Sequence, residues 1–149
     1  MDVARRSLQV VTVVGLAVDA YVHFKLAANY DGVKATISQG QLFRLEAVLA
    51  VIAAVLLIWR PGRITAGIAA LVAGGGTFAL LLYYFVNVGQ IGPMPNMYEH
   101  VFYAEKTITL IAQIIATFTA LALVFMGWPA RAKEADRTAA AVAREVPSS

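Results

Sequence analysis

The stretch QLFRLEAVLAVIAAVLLIWRPGR, running from Gln41 to Arg63, decides the fold. From Ala47 to Trp59 it carries no charge. The run from Gln41 to Trp59 is close to the roughly 20 residues that cross a bilayer core of about 30 Å. It breaks at Trp59-Arg60-Pro61-Gly62-Arg63, and a second apolar run starts at once, from Ile64 to Val88. Two long apolar helices joined by so short and basic a turn make a transmembrane hairpin.

Working outward, a third run lies upstream, Leu8 to about Ala28, and a fourth downstream, from Met97 or Ala104 to Gly127. The whole 149-residue chain is 60% hydrophobic and 14% charged, against about 45–50% and 25% in soluble domains. It lacks the polar surface to cover a water-soluble globule. The expectation is an all-α fold, a four-helix transmembrane bundle running up-down-up-down. It forms one domain over 1–128, with spans at about 8–28, 41–59, 64–88 and 97–127, and residues 129–149 form an Ala-rich, partly helical cytoplasmic tail. Arg5 and Arg6 ahead of the first run, and Leu26-Ala27-Ala28 behind it, have the look of a signal peptide. Asp19, Tyr21, His23 and Lys25 interrupt the run where such a peptide stays apolar, so it is read as a span.

Basic residues set the orientation. Arg5, Arg6, Arg60, Arg63, Arg131, Lys133, Arg137 and Arg144 fall on one side of such a bundle, and the positive-inside rule makes that side the cytoplasm. Both termini are then cytoplasmic, in a multi-pass protein of a bacterial cytoplasmic membrane, with Trp59 and Trp128 at the inner interface. No Lys/Arg cluster is interleaved with aromatics, so a nucleic-acid partner is not indicated. The lipid bilayer is the expected partner, with other membrane subunits beside it. Cysteine is absent, which excludes thiol–disulfide chemistry, thiolate metal sites and iron–sulfur clusters. In the third connection, the helix-breaking run Gly89 to Pro95 precedes Asn96, with Glu99 three residues on. That spacing predicts an N-cap and its reciprocal partner, and a fourth helix from Met97.

In lipid, helices associate through small and polar residues. Gly15, Asp19 and His23 share one stripe of the first helix, and Glu46, Ala50 and Ala54 one of the second. Ala66, Ala70 and Gly74 share one of the third, and Glu105, Thr109, Ala112, Gln113 and Ala116 a face of the fourth. These faces point inward. Asp19 lies about 9 Å inside Lys25, and Glu46 about 7 Å inside Gln41, at the helical rise. Asp19, His23, Glu46, Tyr84, Asn87 and Glu105 thus gather in the outward half of the bundle, with Arg44 and Lys106 at the rim. The inner halves are almost purely apolar.

Ionisable groups within a membrane are costly and mark functional sites by default. The candidate ligand-binding or proton-relay set is Asp19, His23, Arg44, Glu46, Tyr84, Asn87 and Glu105. His23, Glu46 and Glu105 are the metal candidates. The plainer alternative is internal pairing: Asp19 or Glu46 with Arg44, and Glu105 with Lys106 or Lys25. At i, i+4, Asp19 would orient the His23 imidazole and raise its basicity. His100 falls about 140° from Glu105 around a straight helix, so it points away from the cup, and a haem shared by the two histidines is not favoured. Met94 and Met97 have the softness for Cu(I) but suit loop packing. No carboxylate-bridged dimetal pattern, Ser–His–Asp set, P-loop or dinucleotide fingerprint occurs, and nothing marks a catalysed reaction.

The length, the four runs and the polar end of the first, Asp19-Ala20-Tyr21-Val22-His23-Phe24-Lys25, resemble the DoxX-like family of small bacterial four-helix membrane proteins over residues 7 to 127. The blocks Gln39 to Glu46 and Gly92 to Glu99 look like signatures of a narrower group. The resemblance implies a link to quinones or to a membrane redox complex, with no catalytic motif to carry over. The leading expectation is a binding or accessory subunit whose outward cup holds a quinone-like ring or a lipid headgroup. A metal-ion or proton binding or permeation protein, and a structural assembly factor, are the alternatives.

The charge pattern makes topology testable. Reporter fusions after Gly32 and Gly92 should read as external, and fusions after Pro61 and at the C-terminus as cytoplasmic. An external C-terminus would overturn the orientation.

Overall fold

The computed structural model describes residues 2–128 and 131–145. The helices are α1 (Val3–Ala27), extended by a 3-10 turn (Ala28–Tyr30), α2 (Gln39–Trp59), α3 (Arg63–Phe85), α4 (Ala104–Phe125) and α5 (Arg131–Glu145). The first four are long and apolar enough to cross a membrane. Among the described residues there is no strand, only isolated bridges between Lys34 and Ser38 and between Ile91 and Met94. The tail is helical over α5, and its Pro147-Ser148-Ser149 end lies outside the described residues.

Local chemistry sets the helix ends. The Asp2 carboxylate accepts the Arg5 N–H at 2.8 Å and caps α1. Ser38 opens α2 with a reciprocal box: its hydroxyl accepts the Gln41 N–H at 3.0 Å, and the Gln41 side chain accepts the Ser38 N–H at 2.8 Å. The Ser38-x-x-Gln41 spacing is the signature for such a start, so α2 begins at Gln39 rather than Gln41. The box expected at Asn96 does not form. Asn96 Oδ1 accepts from Tyr98 N–H at 3.0 Å, and the Glu99 N–H donates to the Tyr83 carbonyl at 3.1 Å, tying the segment back to α3. Tertiary bonds thus consume the groups a helix from Met97 needs, and α4 starts at Ala104.

The four long helices form a ring in which α1 packs on α2 and α4, and α3 on α4, while α2 and α3 meet most loosely. Side-chain bonds show neighbours to be antiparallel. At one end of the bundle, Gln9 of α1 donates to the Leu57 carbonyl of α2, and Arg63 of α3 to the Val124 carbonyl of α4. Arg5 donates to the Gly127 carbonyl at 2.7 Å, with its guanidinium over the Trp128 ring. At the other end, Lys25 of α1 meets Glu105 of α4. The short Arg60-Pro61-Gly62 turn and both chain ends of the bundle therefore lie together. The two long connections lie opposite, joined where the Ile37 N–H donates to the Pro93 carbonyl at 3.0 Å.

Packing is inverted relative to a soluble bundle. The core is mostly alanine, including Ala47, Ala50, Ala53, Ala66, Ala73 and Ala116. Large apolar side chains such as Val55, Leu71, Ile111 and Phe118 face outward. That is how helices pack when lipid is as apolar as their own side chains. α1 and α4 come close at Gly15, where an added Cβ would come within 2.9 Å of both the Ala112 carbonyl oxygen and Ala116 Cβ. Gly15→Leu should therefore cost about 1–3 kcal/mol or more by forcing α1 from α4, read as a lower unfolding temperature of the solubilised protein. Gly67→Leu, with open space around its Cβ, should leave that temperature unchanged. Equal behaviour of the two variants would contradict the packing.

Candidate functional site

A cavity of about 440 Å³ lies at the end of the bundle that carries the long connections, lined by all four long helices and the segment before α4. This is within the size range of small-molecule sites. Its walls are mostly apolar and aromatic: Leu42, Phe43, Leu49, Phe78, Leu82, Tyr83 and Tyr84. Polar groups enter from His23, Glu46 and Thr109 within the spans, and from Glu99, Tyr103 and Lys106 at the roof.

Behind His23 lies a buried network. The Asp19 carboxylate is fully buried. Its Oδ1 accepts from His23 Nδ1 and from Gln113 Nε2, each at 2.9 Å. The Asp19 backbone carbonyl lies 3.0 Å from the same His23 nitrogen. With Nδ1 held by Asp19, the neutral ring presents Nε2 as its acceptor, while Phe43 packs edge-on at 5.1 Å. Glu46 lies in the electrostatic range of Asp19 and His23. Its Oε1 is buried with no protein hydrogen-bond partner, as are Asp19 Oδ2, Thr109 Oγ1 and Gln113 Oε1. Gly76 makes the room: a Cβ there would collide with the Gln113 amide and lie 2.9 Å from Glu46 Oε1. Sequence and packing thus converge, since only a residue without a side chain lets α3 pass over both polar groups.

The roof is stitched by charge and hydroxyl contacts. Lys106 Nζ lies 2.8 Å from Glu99 Oε2 and donates to the Glu99 carbonyl at 3.1 Å. The Tyr30 hydroxyl contacts both Glu99 carboxylate oxygens at 3.1 Å and the Tyr103 hydroxyl at 2.7 Å. Met94 and Met97 line the cavity beneath this stitch.

The structure divides the expected site residues. His23, Glu46 and Tyr84 line the cavity, and Asp19 supports His23 from behind. Arg44 turns to Asp31 in a two-pronged pair at 2.7 and 2.8 Å, away from both Asp19 and Glu46. Those bonds hold the Asp31 carboxyl below its usual range. The pair's contribution is therefore present above the ordinary carboxylate range and lost as pH falls through the lowered value. Both side chains are nearly half exposed, so that contribution is small. Asn87 accepts from the Gly89 N–H and the Asn96 amide, outside the cavity lining. Glu105 pairs with Lys25 at 3.0 Å, which separates it from His23 and Glu46. Among the described residues, no three His, Asp or Glu side chains gather as a metal-holding group. His100 stacks on Tyr84 at 4.5 Å and bonds the Tyr84 carbonyl. It is exposed and does not share the cavity with His23.

Sequence reasoning passed over Gln113 and Thr109 as site residues, although both lie on the polar face of α4, because it weighed charge above amide and hydroxyl. Tyr103 was readable as an aromatic that could pack a ring and Glu99 only as a cap partner, while Tyr30 carried no local signal, since only the folding of the connections brings the three together.

The two carboxylates should respond oppositely to substitution. Asp19→Ala strands the His23 and Gln113 donors, and breaking a buried pair costs about 3–5 kcal/mol. Glu46→Leu removes a buried oxygen without a partner and should be neutral or stabilising. Unfolding temperatures of the solubilised variants check this, and a loss at Glu46→Leu as large as that at Asp19→Ala would contradict it.

No family model matches the chain, and no curated protein or solved structure matches it either. What the site can do is set by the residues just described.

Proposed function

We propose that this chain is a multi-pass protein of a bacterial cytoplasmic membrane, with both termini cytoplasmic, that binds a small amphipathic molecule in its cavity. The head of that molecule is a quinone-like ring or a lipid headgroup of comparable hydrogen-bonding capacity, and the protein serves a membrane redox system as a binding or accessory subunit. One observation carries the reading. Glu46 Oε1 and Thr109 Oγ1 are buried without protein hydrogen bonds, on residues that line a cavity of about 440 Å³ with mostly apolar walls. Buried polar atoms are nearly always paired; a quinone carbonyl would accept from the Thr109 hydroxyl, and the hydroxyl of a quinol or a lipid headgroup would donate to Glu46 Oε1.

The surrounding groups fit such a head. Tyr84 and Phe43 offer faces and edges to a planar ring. His23, held by Asp19, is placed to exchange a proton with a carbonyl or hydroxyl. Binding is favoured over permeation because the bundle core is closed by Leu16, Leu57 and Leu123, all fully buried. An ion crossing that plug would meet little polar surface beyond the Thr12–Thr119 hydroxyl pair.

A tail-less benzoquinone titrated into the purified protein tests the reading. His23→Ala should weaken binding at least tenfold, and His100→Ala should leave it within about twofold, a tenfold change being about 1.4 kcal/mol. Equal loss from both changes, or binding of neither the ring nor a single-chain lysophospholipid by the unaltered chain, would overturn it.

A further inference from the structure

We infer that the cavity opens sideways into the bilayer between α2 and α3, and that its occupant carries a long apolar tail lying in that seam. The inference rests on the binding reading above and adds the route and the shape of the molecule.

Of the seams between neighbouring helices in the ring, that between α2 and α3 is the most loosely packed. The side chains along it have a double character. Leu45, Leu49 and Phe78 line the cavity, yet they are 54%, 40% and 68% exposed on the outer surface. A residue that both lines a cavity and faces outward marks the mouth of that cavity. Leu42, Leu45 and Leu49 fall on one stripe of α2, and Gly75, Phe78 and Leu82 on one stripe of α3. The mouth is thus a slot running along two helices. Gly75 is exposed, lines the cavity, and has nothing within 4 Å of where a Cβ would stand. It is a gap in the wall at the depth of Gly76 and Glu46.

The alternative path, through the long connections, is covered. Met94, Met97, Glu99 and Tyr103 line the cavity from above, and the Lys106–Glu99 and Tyr30–Glu99 contacts hold them down. The polar end is stitched and the apolar flank is open. A water-soluble ligand would need the reverse. A slot walled by leucine and phenylalanine within an apolar flank suits an alkyl or isoprenoid chain. A tail in the slot points its head at Glu46, Thr109 and His23.

Binding to protein in phosphatidylcholine nanodiscs tests this with three probes: a tail-less benzoquinone, the same ring with a decyl chain, and a single-chain lysophospholipid. The decyl ring should bind the unaltered chain at least tenfold tighter than the tail-less one. Gly75→Leu, which fills the slot from open space, should abolish that advantage, so that the decyl ring binds no tighter than the tail-less one. Gly75→Ala should give a smaller loss of the same sign, and Gly67→Leu none. The same pattern with the lysophospholipid in place of the ring would support the slot and identify a lipid headgroup as the head. A decyl chain that adds nothing, or Gly75→Leu that leaves the advantage intact, would overturn the lateral slot while the cavity reading stands. Failure of all three probes to bind the unaltered chain would remove the cavity reading, and the slot with it.

Discussion

A carboxylate buried among apolar helices needs donors close at hand, and the helices around Asp19 are placed to supply them. His23 comes from the next turn of α1, and Gln113 from α4 across a close helix contact. Gly15 permits that approach by letting α1 rest on the Ala112 backbone. A side chain there would hold α1 off α4 and draw the Gln113 amide away from Asp19 Oδ1, leaving that carboxyl with His23 as its remaining side-chain partner. Much of the half-bundle's geometry follows from this triad. It fixes the register of α1 against α4 and the ring of His23, and through Gly76 it fixes the distance at which α3 passes.

The triad also divides the bundle in two. On the side of the short turn, alanines and fully buried leucines close the interior, as helix association in lipid requires. On the side of the long connections, the helices diverge around a space whose polar lining is incompletely satisfied. Structural networks tend towards full satisfaction, because a half-satisfied one is costly at low dielectric. Asp19 is largely served by its neighbours and Glu46 is not. That contrast separates the residue that holds the site together from the one available to an occupant.

The spans and their inward faces were legible because bilayer thickness and helical period leave little freedom over residues 41–88. The helix starts were less legible: the expected start at Gln41 passed over the Ser38 box, and the start preferred at Met97 gave way to Ala104. Ser38 and Gln41 cap each other as their spacing dictates, whereas Asn96 and Glu99 share that spacing and fail, because Glu99 is claimed by Tyr83, Tyr30 and Lys106. The same logic sorts the polar cup. Asp19, His23 and Glu46 sit deep enough in their helices that lipid forces them inward. Arg44, Asn87 and Glu105 sit near helix ends, where nearby partners are available, and Asp31, Asn96 and Lys25 take them. Depth rather than charge type was the informative variable, and the connections that supply those partners have no period to read.

On the proposed reading the cavity binds a membrane-resident amphiphile, and Glu46 is the group that meets its head. The most direct measurement is solvent extraction and mass spectrometry of the protein purified from its own membranes, set beside Glu46→Leu prepared identically. The account predicts an amphiphile in roughly equimolar amount, enriched over the bulk phospholipids and missing from the variant. Extracts that hold only bulk phospholipid, identical between the two preparations, would contradict it.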